Sequence, residues 1–335
     1  MSSAPSRTRR TRRATSGAVD MRPVVDELLQ ATGVDELTLV ELVEKAVGDT
    51  YARLCPEAHG VVAHFDTGAR TISLQRTDET GAAVPVPMPA DVVRQSGQAV
   101  KAAVAGLLRD QERGRVLREG SARRGELVDA IVERQDGAVW YLRVNGMEAV
   151  LRPEEQIPGE VLERNRHLKV FALDARRRGR DAVIDVSRSH PNLLRRLLEQ
   201  EVPEMSTGQV VVRALVREPG RRSKVAVEAA VGGIDPEGAC IGPRGVRIRA
   251  VVSELGDEQV HVVGWSDDPA TYIARAVGPA AVLGVELDHE TRTAHVTVPE
   301  QQLSLAIGRG GENARLAHRL TGWRIDIRGD GGSAS

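Results

Sequence analysis

Two stretches of the chain carry the same run of apolar and polar positions. In the first, Ile241 precedes Gly242-Pro243-Arg244-Gly245. Ile248, Val251, Val252 and Leu255 then recur at i, i+3, i+4 and i+7, the spacing of one helix face. In the second, Ile307 precedes Gly308-Arg309-Gly310-Gly311, and Ala314, Ala317 and Leu320 follow three apart with Leu316 beside them. Gly256 and Gly322 close the two helices as residues free to take positive φ, each 11 residues beyond the last loop glycine (245 to 256, 311 to 322). Short strands, Val260–Val263 and Trp323–Ile327, end the units. Paired strands precede each loop: Val210–Arg217 with Lys224–Ala230, and Val282–Leu287 with Ala294–Val298. A very basic turn, Arg217 to Lys224, joins the first pair. Leu193–Glu199 predicts a helix leading in, and Asp268–Ala276 a helix between the units.

The preceding segments change period. Val24, Val25, Leu28 and Leu29 predict a short helix, and Thr38 to Leu54 a longer one. Val61–Phe65 and Thr71–Gln75 alternate like a hairpin turning at Thr67-Gly68, and the Pro-rich run Ala83–Pro89 is excluded from any central strand position. Asp91 is placed as the cap of a long helix toward Arg113. From 121 to 188, Gly125–Glu133, Ala138–Val144, Glu148–Leu151, Leu168–Leu173 and Asp181–Ser187 read as five strands, matching a small barrel of the OB type. Trp140, Tyr141 and Phe171 are its candidate stacking surfaces. Alternation puts Trp140 and Tyr141 on opposite faces, so at least one belongs to the core. Arg176, Arg177, Arg178 and Arg180 form a basic turn between the last two strands. Residues 1–20 are Ser/Thr/Arg-rich and read as a disordered basic tail. Met21 opens the first patterned segment, which makes it an alternative start of translation.

Composition narrows the classes. A net charge of −1 excludes a chain that is basic throughout, so a nucleic-acid site must come from local arginine. Aromatics at 2% leave base stacking few places. No apolar run spans a membrane and no apolar segment follows the N-terminal arginines, so a cytoplasmic protein with no membrane contact is expected. Cys55 and Cys240 lie far apart, outside any metal-ligand spacing, and read as buried free thiols. His59 and His64 fall on different elements from Cys55, so no metal site is predicted there, and no catalytic site or cofactor is predicted anywhere.

The twin loops carry the chemistry. A lone Gly-x-x-Gly is weak: with 33 glycines in 335 residues, chance supplies about three, and a third stands at Gly329–Gly332. One copy alone reads better as a tight helix–helix turn. Two copies sharing Ile-Gly-x-x-Gly, one helix face and one glycine stop outweigh that reading. Paired glycines let phosphates approach backbone N–H groups, the next helix N-terminus favours negative charge, and Arg244 and Arg309 add cations. This is the chemistry of a KH domain, whose loop clamps single-stranded RNA. The candidate RNA-binding residues are Gly242, Pro243, Arg244, Gly245, Gly308, Arg309, Gly310 and Gly311. Arg247 and Arg315 are expected to face the same strand from the following helices. Pro243 removes one N–H donor from the first cradle.

The stretches DPEGACIGPRG, SELGDEQVHVVGWSDDPATYIA and VPEQQLSLAIGRGGENARLAHRLTGWRIDI closely resemble the NusA family of bacterial transcription elongation and termination factors. So do SRSHPNLLRRLLEQEVPE and GRRSKVAVEA. The resemblance runs from about Gly125 to Arg328. The Thr-Gly-Trp-Arg-Ile-Asp-Ile ending, with no further C-terminal repeat, resembles the actinobacterial type. The resemblance implies an α+β multidomain chain: an N-terminal α+β RNA polymerase-binding domain over 21–120, a five-stranded OB-fold β-barrel over 121–188, tandem prokaryotic-type KH domains over 189–266 and 267–328, and a flexible C-terminus over 329–335. It implies a monomeric, non-enzymatic factor whose partners are RNA polymerase, nascent single-stranded RNA and other Nus-type antitermination factors. It implies effects on pausing, termination and antitermination. The match weakens over the first hundred residues, where the polymerase contact would lie. The alternatives are a stand-alone RNA chaperone and an RNA-processing, exoribonuclease-associated KH/OB protein. The second would need a catalytic carboxylate or phosphate-binding domain, and this sequence carries no P-loop and no clustered Asp/Glu/His motif in its first domain.

Overall fold

The computed structural model describes residues 14–331 apart from 16, 180 and 257. The chain forms two compact units, residues 1–115 and 116–335. In chain order the first holds β1 (Ala14–Thr15), β2 (Val19–Asp20), α1 (Arg22–Thr32), α2 (Glu36–Leu54), β3 (Val61–Asp66), β4 (Thr71–Thr77), β5 (Ala83–Val86), β6 (Met88–Pro89) and most of α3 (Ala90–Ala122). Pro23 opens α1, and Gly33 closes it in the left-handed region, its N–H bonded to Leu29 O. The Asp35 carboxylate caps α2 by accepting from Thr38 N. β3 and β4 form the expected hairpin, and the Pro-bearing β5 pairs only with β4, at an edge. Leu39, Val43, Val47, Phe65, Ile72, Leu74 and Val100 build this unit's core.

Two features differ from what the pattern predicts. Asp91 lies inside the first turn of α3 and does not cap it, and that helix runs on to Ala122. The tail read as disordered ends earlier than Asp20, because Val19 and Asp20 pair with Ile72 and Thr71. Asp20 also accepts from Arg22, which ties the strand to the start of α1. Residues 1–13, which hold the tail's arginines, lie outside the described residues.

The second unit begins with the end of α3, whose Val116 packs into a barrel of β7 (Leu127–Asp136), β8 (Val139–Val144), β9 (Met147–Leu151), β10 (His167–Arg178) and β11 (Asp181–Ser187). Five strands close in the order β7-β8-β9-β11-β10, with β10 returning to β7 and with β9 and β11 parallel. Alternation along each strand points Val132, Leu142, Val144, Ala149, Val170 and Ile184 inward. Trp140 packs against this core, whereas Tyr141 lies outside it, in a small cluster with Val150 and Val183. The guanidinium of Arg134 covers the Tyr141 ring at 3.6 Å, and Arg178 donates to its hydroxyl at 2.5 Å. Phe171 is buried and stacked on His190, 4.5 Å between centroids. Tyr141 and Phe171 are thus covered, and of the three rings only the half-buried Trp140 keeps exposed surface.

Two copies of one βαβ-containing unit follow. The first comprises α4 (Pro191–Glu201), α5 (Pro203–Ser206), β12 (Val210–Glu218), β13 (Arg222–Ala229), α6 (Pro236–Ile241), α7 (Val246–Glu254) and β14 (Gln259–Gly264). The second comprises α8 (Pro269–Val277), β15 (Gly284–Asp288), β16 (Thr293–Val298), α9 (Leu303–Ile307), α10 (Glu312–Thr321) and β17 (Arg324–Gly329). Each makes a three-stranded sheet with one antiparallel and one parallel pair, in the orders β12-β13-β14 and β15-β16-β17. β17 reaches Gly329, so the C-terminal tail begins later than expected; residues 332–335 lie outside the described residues.

One buried arginine ties the barrel to the first copy, and a second braces that copy internally. Arg188, fully buried, pairs with Glu160 of the barrel and with Glu254 of α7, and donates to Lys169 O at 2.7 Å. Arg217 is also buried and holds Glu258 bidentately at 2.9–3.1 Å, while Glu258 accepts further from Gly220 N and Ser223 Oγ. Every oxygen of that carboxylate is therefore occupied, the condition under which a buried ion pair is tolerated. Arg217 and Lys224 thus belong to strands and to the interior. The basic turn shrinks to Pro219–Arg221, because β12 extends to Glu218 and β13 begins at Arg222.

Candidate nucleic-acid interface

The two loops have one backbone. Gly242 and Gly308 sit at φ 73°, ψ 171° and φ 77°, ψ 168°, a region open to glycine. The third positions, Arg244 and Gly310, both lie in the left-handed region at φ 54° and 58°. So do Gly245 and Gly311, at φ 74° and 73°. Each loop is closed by one bond, Gly245 N to Gly242 O at 2.9 Å and Gly311 N to Gly308 O at 3.1 Å. α7 and α10 start directly after, so each loop delivers its backbone to a helix N-terminus.

Matched position by position, the arginines of the two loops are not equivalent. Arg244 occupies the third position, where it must adopt a left-handed conformation that side chains disfavour. Arg309 occupies the second, opposite Pro243, and leaves the left-handed position to Gly310. The second loop therefore presents an N–H where the first has a proline ring.

The first glycine of each loop has a reason inside the protein. A Cβ on Gly308 would stand 2.8 Å from Asn313 N, and one on Gly242 would stand 2.6 Å from Arg247 Cγ. The helix that follows closes against the loop at both points. At Gly310 and Gly311 a Cβ would meet nothing within 4 Å, so their requirement is conformational alone.

Two predicted contacts take other partners. Arg247 turns back under the loop, pairs with Glu204 at 2.8 Å and donates to Ala239 O at 2.6 Å. It braces α5 and α6 and does not reach outward with Arg244. Arg315 pairs with Glu218 of the first copy, at 3.1 and 3.2 Å, and Arg319 approaches the same carboxylate at 3.6 Å. That hydrogen bond from Arg315 holds the Glu218 carboxyl below its ordinary range. Arg315 thus links the copies, with its side chain still about half exposed.

Residues around the loops complete the surface. Arg249 folds its guanidinium onto Arg244 O at 2.5 Å and stiffens the first loop. Ile241 and Ile307, each immediately before a loop, stay exposed at 43% and 37% and form an apolar shoulder beside each cradle. Arg221, from the turn of the first copy, and Arg222, at the start of β13, reach a cleft beside Arg309 of the second. The basic run Arg217–Lys224 signalled this patch, but which of its residues turn outward depends on where the strands end. Cys240 is buried two residues before the first loop, where burial pushes its thiol up to about 12 and leaves it unreactive. Cys55 is half buried.

Residues 188–265 match the NusA-like first KH domain, and residues 269–334 match the NusA-like second KH domain. A Mycobacterium tuberculosis protein described as transcription termination/antitermination protein NusA is 38% identical over 313 residues, covering 89% of this chain and 90% of that protein. A Bacillus subtilis protein of the same description is 40% identical over 242 residues, 72% of this chain and 65% of that protein. One from Thermus thermophilus is 42% identical over 239 residues, 71% of this chain and 62% of that protein.

Proposed function

The chain belongs to the NusA family of transcription termination/antitermination proteins, and on that premise we propose a non-catalytic factor that holds nascent single-stranded RNA while bound to RNA polymerase. Its KH domains are RNA-binding domains. The observation that carries the reading is the coincidence of the two loop backbones, each with bare glycine, a nearby arginine and a helix start. Gly242, Pro243, Arg244 and Gly245 form one phosphate cradle, and Gly308, Arg309, Gly310 and Gly311 the other. Ile241 and Ile307 supply apolar contact for bases. The barrel, read as an OB fold, extends the RNA track through its outward arginines. Weak sites in series on one rigid support raise each other's effective concentration, and the Arg188 pairs between the barrel and the first copy and the Arg315–Glu218 pair between the copies favour that rigidity. The N-terminal unit is read as the polymerase-binding element. Its groove between α2 and α3, about 780 Å³, is floored by Leu42, Ala46, Ala99, Ala103 and Leu107. Nus-type antitermination factors are the further partners proposed, with a monomeric cytoplasmic protein as the working state.

The test is a pair of double variants, Pro243→Asp with Arg244→Asp, and Arg309→Asp with Gly310→Asp. In each pair the second aspartate falls on the left-handed position, which Asp tolerates better than most residues. Each pair should cost roughly 1.5–3 kcal/mol of single-stranded RNA affinity, the scale of lost charge-assisted hydrogen bonds. Melting temperature should move by only a few degrees, and capture of core RNA polymerase should persist. Unchanged RNA affinity in both pairs makes the loops mere turns. Failure of the parent to capture polymerase leaves a stand-alone RNA binder.

A further inference from the structure

The cleft beside the second loop holds more positive charge than the fold uses. Arg221, Arg222, Gln259, Arg309 and Glu312 enclose about 400 Å³ between the two KH copies. Arg222 donates to Gln259 Oε1 at 2.7 and 3.1 Å, a neutral partner that leaves its charge uncompensated. Glu312 is the one carboxylate in the lining. It pairs with Arg221 across the copies; the glutamate side chain is 11% exposed, and that of Arg221 is 65% exposed. Three guanidinium groups thus share the lining with one carboxylate, and Glu218, already held by Arg315, acts on Arg221 from outside it.

We propose that this cleft is a subsite for one backbone phosphate of RNA passing between the copies, and that Glu312 is its built-in competitor. The proposal rests on the RNA-binding reading above. A carboxylate and a phosphate offer a guanidinium fork the same pair of acceptor oxygens. Glu312 therefore holds Arg221 in the free protein, and an arriving phosphate takes Arg221 over while Arg222 and Arg309 attract it. The displaced carboxylate stays close and repels the phosphate, so occupancy carries a penalty. A strand already anchored at a loop offsets that penalty through its other contacts; a short fragment or free anion does not. The device favours long strands that engage both copies.

The experiment measures binding of a single-stranded oligonucleotide long enough to reach both loops, across a salt series, to the full chain. Glu312→Gln keeps the shape and removes the charge. Its affinity should rise about threefold to tenfold, and the slope of log affinity against log salt should steepen by about 0.7, the increment for one added phosphate contact on single strands. Arg221→Ala in the Glu312→Gln background should abolish the gain. Parental affinity and slope in Glu312→Gln, or weaker binding at an unchanged melting temperature, overturn the proposal. If Glu312→Gln loosens the fold, Arg222→Ala in the parent decides: the slope should flatten by about 0.7, and an unaltered slope overturns the subsite. A parent that binds no single-stranded RNA overturns the RNA reading and the subsite together, whereas failure of the variants alone overturns only the subsite.

Discussion

The sheets of the two KH copies present equivalent faces with opposite fates. Register makes Lys224 and His261 neighbours on β13 and β14, and the matching residues on β16 and β17 are His295 and Asp326. In the first copy this face also carries Ala226 and Val263, which join one apolar core with Ile273, Ala276, Leu316 and Ala317 of the second copy. Lys224 is buried there, with Nζ donating to Gly278 O at 2.9 Å, and burial lowers its pKa to about 8. In the second copy the face stays open, and Arg328, Asp326 and His295 form a polar cluster at 2.6–3.1 Å. One fold unit thus serves once as a docking platform and once, among the described residues, as an exposed polar face. The change from Thr297 to its counterpart Ala226 marks which is which.

The largest expected effect breaks that comparison directly. Ala226 has no exposed surface, so Ala226→Leu should overpack the joint and cost about 1–3 kcal/mol in urea unfolding. The equivalent Thr297→Leu lands on the open face and should stay within about 0.5 kcal/mol. Equal effects would mean the first face is not a packed joint.

A smaller effect separates the loops. Arg244→Gly gives the first loop the left-handed glycine that the second already has at position 310. Relief of that conformation should raise stability by up to about 1 kcal/mol. The same change removes a cation from the cradle, so RNA affinity should fall as stability rises. A fall in both would show that Arg244 supports the fold through contacts its backbone does not reveal.

The smallest effect is a pH slope. Burial lowers the pKa of His261 to about 4, below its ordinary 6.5, with the charges of Lys224 and Arg222 adding to the shift. The unfolded chain therefore takes up this proton first. The stability contributed by neutral His261 is complete above about pH 6.5 and drains away as pH falls toward 4. His261→Asn should flatten the stability slope between pH 6.5 and 5; an unchanged slope would show the ring is hydrated in the joint. His190, also lowered by burial, keeps its share of that slope. In the second copy the counterpart is a carboxyl, Asp326, held below its ordinary 3.8 by Arg328 and then His295. Its contribution is lost only at lower pH.

Local pattern was enough for the elements and for the loops. Helix faces such as Ile248-Val251-Val252-Leu255, alternating strands and glycine stops are properties of short stretches, so neighbours in sequence reveal them. The closing glycines Gly256 and Gly322 announced positive φ in the same way, whereas the positive φ of Arg244 had no local signal. The spacing of the repeat even showed that two copies were present. What no short stretch contains is the destination of a charge. Arg217, Arg247 and Arg315 look alike in the sequence, yet one is buried against Glu258, one braces Glu204 and one crosses to Glu218. Their partners lie 41, 43 and 97 residues away. Likewise Tyr141 reads as a stacking surface until Arg134 and Arg178, from other strands, cover it. Backbone conformation follows from local sterics, whereas the fate of an ionic or aromatic side chain depends on which distant groups the packed modules bring within reach and take out of water.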